Sequence, residues 1–287
     1  MGNGSRKARL AAAAVLGLVL ATGCASVRAP AERHASWMAT QAGQFTFEYS
    51  DRDLGDIRQV QQALVTAAPR LLRWGTLREP VKLRMLPNHE QLQRALDAFG
   101  ANQRGVTWLR GWSRYDEVLL QAPRSWSLLG TPQRQVDELL THELTHSLMY
   151  QLSADRLGWQ RKQIPLWFRE GMASYTADQA YRWVSLEDMA RHLQKHPDSN
   201  PVGQPAELYR NDSNLVYGAA HHAFAFLVKR YGEEKVRAIL SEMQGGKLFP
   251  QAFESAVGVS ADVFVRDFTR YVRWRGFRGG RSVPQDS

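Results

Sequence analysis

The sequence predicts an α+β fold: a small N-terminal mixed αβ lobe with a sheet, then an all-helical C-terminal lobe. Three observations predict it. Period-two alternation of apolar and polar residues occurs only in stretches before residue 122. From Pro132 onward apolar residues recur at helical spacing. Strands and helices do not alternate through the chain, which excludes a repeating βαβ plan.

Each element has its own signal. Residues 44–49 alternate and predict a strand. Residues 56–74 carry apolar side chains at 57, 60, 64, 65, 68, 71 and 72, a helical spacing. Val81, Leu83 and Met85 alternate with Lys82 and Arg84, a second strand. Asn88 is placed to cap a helix over 89–99. Residues 100–112, with Gly105 and Gly111, read as loop, and 116–121 as a third strand ending before Pro123. Then Val136, Leu139, Leu140, Leu144 and Leu148 form one stripe. Further helices are predicted over 166–180, 185–195, 214–231, 233–244 and 260–275.

The 287 residues are 44% hydrophobic and 23% charged, which excludes wholesale disorder. Gly and Pro, 22 and 12 in number, are too few for a collagen-like chain. The one cysteine, Cys24, rules out an intrachain disulfide and any multi-cysteine metal site. A metal must therefore be held by His, Asp or Glu.

The N-terminus reads as a targeting segment. Arg6, Lys7 and Arg9 stand without an acid before the apolar run 11–21, followed by Thr22, Gly23 and Cys24. The run is shorter than the roughly 20 residues a membrane helix needs. The segment 21–24 resembles a bacterial lipobox, with Leu20 one place early. That resemblance implies a signal peptide over 1–23, lipidation of Cys24 and a tether over 24–40. With Ala25 after the cysteine, it implies an outer-membrane lipoprotein of the cell envelope. A folded region is then expected over 41–275, and a flexible basic tail over 276–287.

Residues 142–146 read His-Glu-Leu-Thr-His, inside the strongest helical stripe. Spacing i, i+4 sets His142 and His146 one turn apart on one face, so both imidazoles reach one ion. Glu143 projects from the next position and meets a water there without being a ligand. Catalytic zinc takes three protein ligands and keeps one open position, so a third ligand must come from elsewhere. His89 and Glu90 begin a similar motif, but Gln93 stands where the second histidine belongs.

Residues 165–175 read Pro-Leu-Trp-Phe-Arg-Glu-Gly-Met-Ala-Ser-Tyr. Together with the HELTH motif, this resembles gluzincin-type zinc metallopeptidases with a peptidase MA-like domain, over roughly residues 100–275. The resemblance implies a zincin-like fold with the metal site between the lobes, one Zn2+ per chain and Glu170 as third ligand. The spacer of 23 residues between His146 and Glu170 is longer than in thermolysin-like families. It implies peptide-bond hydrolysis with Glu143 as base, activating a zinc-bound water, on a peptide or protein substrate. It also implies Tyr217 as oxyanion donor and Ser174 as a support for a zinc histidine. It further implies that the strand at 117–121 pairs with extended substrate.

His221 lies one turn from Tyr217 on the same face and joins the supporting group, with Asp137 and Asp178 as further acids nearby. His222 falls on the apolar stripe of Leu215, Ala219, Ala223 and Phe226 and reads as a core histidine. Gly171 and Ala173 permit close approach between the second helix and the first.

The net charge is +9, and Arg266, Arg270 and Arg273 occupy the polar side of the last helix. For an exported protein this basic face suits lipid or lipopolysaccharide phosphates; nucleic acid is not an expected partner. Two alternatives stand beside the peptidase: an envelope-assembly or binding lipoprotein retaining a metal site without catalysis, and a hydrolase of cell-wall peptides. Glu143 speaks against the first, since a purely structural site needs no base.

Overall fold

The computed structural model describes residues 36–101, 106–209 and 211–277. Cys24, the expected signal and most of the expected tether lie outside them, as do residues 278–287. Strands β1 (Trp37–Ala42) and β2 (Phe45–Ser50) form an antiparallel hairpin. Its turn holds Gly43 at φ +57°, a conformation that costs glycine nothing. The sheet thus begins inside the stretch 24–40 expected to be tether.

Helix α1 (Leu54–Leu72), strand β3 (Val81–Leu86) and helix α2 (His89–Ala98) follow. Asn88 caps α2 as its side chain predicts, accepting from Gln91 N at 3.0 Å. Then come β4 (Gly111–Ser113) and β5 (Glu117–Gln121). The sheet order is β1-β2-β3-β5-β4, with β2, β3 and β5 parallel and both outer strands antiparallel to their neighbours.

Both faces of the sheet are covered. Phe47, Leu83, Val118 and Leu120 point into the large core with α1, and Leu86 and Leu119 point to a second cluster with Leu92 and Leu96 of α2. Covering on both faces explains why β5 reads as the unbroken apolar run Val118-Leu119-Leu120.

The rest is helical: α3 (Gln133–Ser153), α4 (Leu166–Thr176), α5 (Leu186–Lys195), α6 (Pro205–Tyr209), α7 (Ser213–Tyr231), α8 (Glu233–Gln244), α9 (Phe249–Val257) and α10 (Ala261–Phe277). The stripes predict all of these but α6 and α9, and α4 ends at Thr176, short of the expected 180. Helix α10 runs into the first two residues of the expected tail. It buries Phe264, Phe268 and Val272 and leaves Arg266, Arg270 and Arg273 exposed. Short β4 and α6 carry too few residues for a period to show, and α9 shows its own over only nine.

Helix α3 passes through the centre of the molecule, packed by α1, α4 and the sheet. It is buried nearly all round, from Val136 to Ser153. Helix α4 lies between α3 and α7. At Trp74, just after α1, indole Nε1 donates to Thr176 Oγ1 at the end of α4 (2.7 Å) and the ring packs edge-on against Phe224 of α7.

Gly171 sets how close α4 comes to α7. A Cβ there would stand 2.4 Å from the Ala220 carbonyl oxygen and 2.7 Å from Phe224 Cβ. The close approach expected against α3 is therefore made against α7. Since backbone is the obstacle, Gly171→Ala is expected to destabilise the protein by about 1–3 kcal/mol, the usual cost of overpacking. Urea unfolding measures this, and a variant as stable as wild type would sink the packing account.

Candidate metal centre

Within α3 the helical turn places His142 and His146 side by side, with Nε2 atoms 3.2 Å apart. Glu170, from α4, aims Oε2 at both, 3.4 Å from His142 Nε2 and 3.6 Å from His146 Nε2. Three ligands at tetrahedral angles around zinc, each about 2.0–2.1 Å from it, would lie roughly 3.3–3.4 Å from one another. The triangle of donor atoms fits that requirement, and the group His142, His146 and Glu170 can hold a metal ion.

The electrostatics agree. Burial opposes ionisation of Glu170, but the charge on His146 and hydrogen bonds from both imidazoles hold its carboxyl well below the usual range. Burial opposes protonation of His142, and the neighbouring Glu170 and Glu143 outweigh it, so its pKa is raised. A metal ligand must be a neutral imidazole, so metal binding would compete with protonation of His142.

His142 Nδ1 donates to Gln179 Oε1 at 3.0 Å, which turns Nε2 toward the centre. Gln179 is buried and was not anticipated. It follows Asp178, whose φ of +57° turns the chain back toward α3 at the end of α4. The next turn is anchored by buried Glu138, which accepts from Tyr181 (2.7 Å) and Arg182 (2.5 Å). No motif spacing signals Gln179; its role depends on that turn. His146 Nδ1 is buried without a partner, and its ring stacks on Tyr150, 6.1 Å between centroids.

Glu143 turns away from the two imidazoles toward β4. Ser113 Oγ donates to its Oε2. A Cβ on Gly111 would stand 2.8 Å from Glu143 Oε1 and 2.9 Å from its Cγ. Any larger residue at 111 would displace the carboxylate. The strand expected to lie beside the site was 117–121, but β5 is interior, flanked by β3 and β4. The edge strand here is β4, three residues long and read from the sequence as loop.

A cavity of about 750 Å3 opens over these groups, between the edge of the sheet and the helices. Tyr217 lines it, stacked on Trp183 and edge-on to Trp108, with its hydroxyl 3.2 Å from that of Tyr209. Burial, then the charge of Glu170, raises the Tyr217 pKa well above its ordinary value, so the phenol keeps its proton.

Ser174 and His221 are placed elsewhere. Ser174 Oγ meets His221 Nδ1 at 3.0 Å rather than a histidine of the centre. His221 lines a second cavity, of about 360 Å3, with Arg70, Arg73 and Asp178. Burial, then the nearby His222, lowers the His221 pKa to about 4. The supporting role expected of the pair is thus corrected: Ser174 sits one turn beyond Glu170, on the side of α4 facing α7. Asp137 binds Thr66 and Gln133, and His222 Nε2 bonds the Val184 carbonyl at 2.8 Å instead of lying in the apolar core.

Two histidines one turn apart, a glutamate from the next helix and an unliganded acid between the histidines define a gluzincin-type metal centre. The sequence model of the Peptidase MA superfamily matches residues 131–273, consistent with a gluzincin-type peptidase MA-like domain over that segment. No curated protein matches the chain. Gln179→Leu removes the acceptor for His142 Nδ1. It is expected to weaken metal binding about 10–100-fold, the usual effect of losing such a partner. Competition with a chromophoric chelator reads this, and an unchanged affinity would show that Gln179 does not orient the ligand.

Proposed function

We propose that the chain is a zinc-dependent peptidase whose reaction takes place in the cavity over His142, His146 and Glu170. One observation carries the reading: three ligand atoms at tetrahedral spacing share a cavity with an acid that is not among them. Bound there, zinc supplies Lewis acidity, polarising the scissile carbonyl and making water more acidic.

The protein's own groups do the rest. Glu143 takes a proton from the attacking water at its carboxylate and later delivers it to the leaving amine. Ser113 and Gly111 hold that carboxylate in place. The Tyr217 hydroxyl donates a hydrogen bond to the oxyanion as the carbonyl carbon becomes tetrahedral, and keeps its proton. Strand β4 bonds only to β5 among the described strands, so an extended peptide can add at its other edge. Trp108 and Trp183 offer apolar surface to its side chains.

The decisive comparison is hydrolysis of unstructured protein by wild type, Glu143→Gln and Tyr217→Phe, each with its zinc content measured. Glu143→Gln is expected to keep zinc and to lose activity by about 10²–10⁴-fold, the scale of general acid–base catalysis. Tyr217→Phe is expected to lose about 10²–10³ in kcat, the scale of one oxyanion donor. Equal turnover by wild type and Glu143→Gln would end the peptidase reading.

The lipobox-like segment supports a further part of the proposal: Cys24 is acylated and tethers the domain to the envelope, facing the periplasm. Cys24→Ser is then expected to release the protein from membranes into the soluble fraction. A variant that stays membrane-bound would sink the anchor.

A further inference from the structure

The cavity walls carry more positive charge than their acids balance. Arg110, Arg169 and Arg182 line it, against Glu143 and Glu170 alone. Two of these arginines are spent. Arg182 is bonded to Glu138 at 2.5 Å. Arg110 donates to the Thr107 carbonyl at 2.7 Å and reaches that of Leu109 at 3.3 Å.

Arg169 is different. It precedes Glu170 on α4, and its Nε is covered by protein yet has no acceptor among the described residues. Its neighbours are the Tyr150 hydroxyl, within hydrogen-bond reach, then Glu170 and Tyr217. The Oε2 of Glu170 already faces the two histidines. Among the described residues no carboxylate forms an ion pair with the Arg169 guanidinium. A guanidinium is a planar fork matched to a carboxylate, and sequestering one with a neutral hydroxyl instead of a counter-anion in contact is costly. A bound divalent ion makes the cavity more positive still, which draws anionic segments in.

We propose that Arg169 is a specificity-determining residue that receives a carboxylate, so that the substrate is a peptide presenting one inside the cavity. The carboxylate is either the peptide's own C-terminus or an Asp or Glu side chain. This names the substrate class of the peptidase proposed above and rests on that reading.

The test is a binding measurement in which no bond is cleaved. Zinc-loaded, full-length Glu143→Gln protein is titrated calorimetrically with three N-acetylated peptides of one sequence. One ends in a free carboxylate, one in a carboxamide, and one in a carboxamide with a single Asp substituted within it. At least one carboxylate-bearing peptide is expected to bind about 10–100-fold tighter than the plain amide, the scale of a hydrogen bond to a charged group. Which one gains identifies the source.

Adding Arg169→Gln is expected to erase the preference, and Arg169→Lys to keep only part of it, since an ammonium lacks the fork. If Arg169→Gln binds no peptide, the Lys variant decides, and an undiminished preference there overturns the proposal. Equal affinity for all three peptides, undetectable binding of all three, or a preference that survives Arg169→Gln also overturns it. Failure of hydrolysis itself is read separately, by comparing wild-type turnover with that of Glu143→Gln.

Discussion

The site depends on how deeply one helix is set against another. The spacing of His142 and His146 is fixed by the turn of α3 and needs nothing else. The position of Glu170 is not fixed in this way, because it arrives on a separate helix. Helix α4 is wedged between α3 and α7, and the residue bonded to Glu170, Gly171, lies against the Ala220 carbonyl of α7. A methyl group there would push α4 off its seat and carry Glu170 with it. Trp74 fixes the other end of α4 through Thr176. Packing energy that looks remote from the chemistry therefore sets ligand distances of a few ångström.

Two acids one helix apart take different roles because their surroundings differ. Glu170 is partly buried beside two imidazoles that favour its charge, and it stays an anion ready to ligate. Glu143 is buried as well, yet its oxygens lie against a strand, bonded by a hydroxyl and crowded by a glycine. It is held near the imidazoles without joining them. Within HELTH, Glu143 cannot point where His142 does, since adjacent helical positions diverge by about 100°.

Much of this was legible beforehand, where the signal was periodic or motif-borne. Strand β3 begins and ends where its alternation does, and α3 carries its stripe and its two histidines as expected. Glu170 became legible through its neighbours Trp167, Gly171, Ala173 and Tyr175, a local resemblance rather than a spacing. What stayed hidden depends on long-range geometry. Gln179 acts only because Asp178 adopts a left-handed turn. Gly111 and Ser113 belong to a strand too short to alternate, paired with β5 by register alone. Ser174 and His221 sit at suggestive intervals from Glu170 and Tyr217, but interval alone does not say which neighbouring helix a residue faces, and they face each other.

In the proposed reaction the short strand hidden in the sequence would link the base to the substrate. In β4, Gly111 pairs with Leu120 and Ser113 with Val118. The same two residues touch Glu143 through a missing side chain and a hydroxyl. A peptide adding to the free edge of β4 would take its register from the backbone of those residues. The position of the base and the position of the scissile bond would then share one reference, three residues of strand backbone. Such an arrangement tolerates varied side chains in the substrate, because alignment comes from main-chain hydrogen bonds. Discrimination would then have to come from elsewhere on the wall, where side chains rather than backbone would meet the peptide.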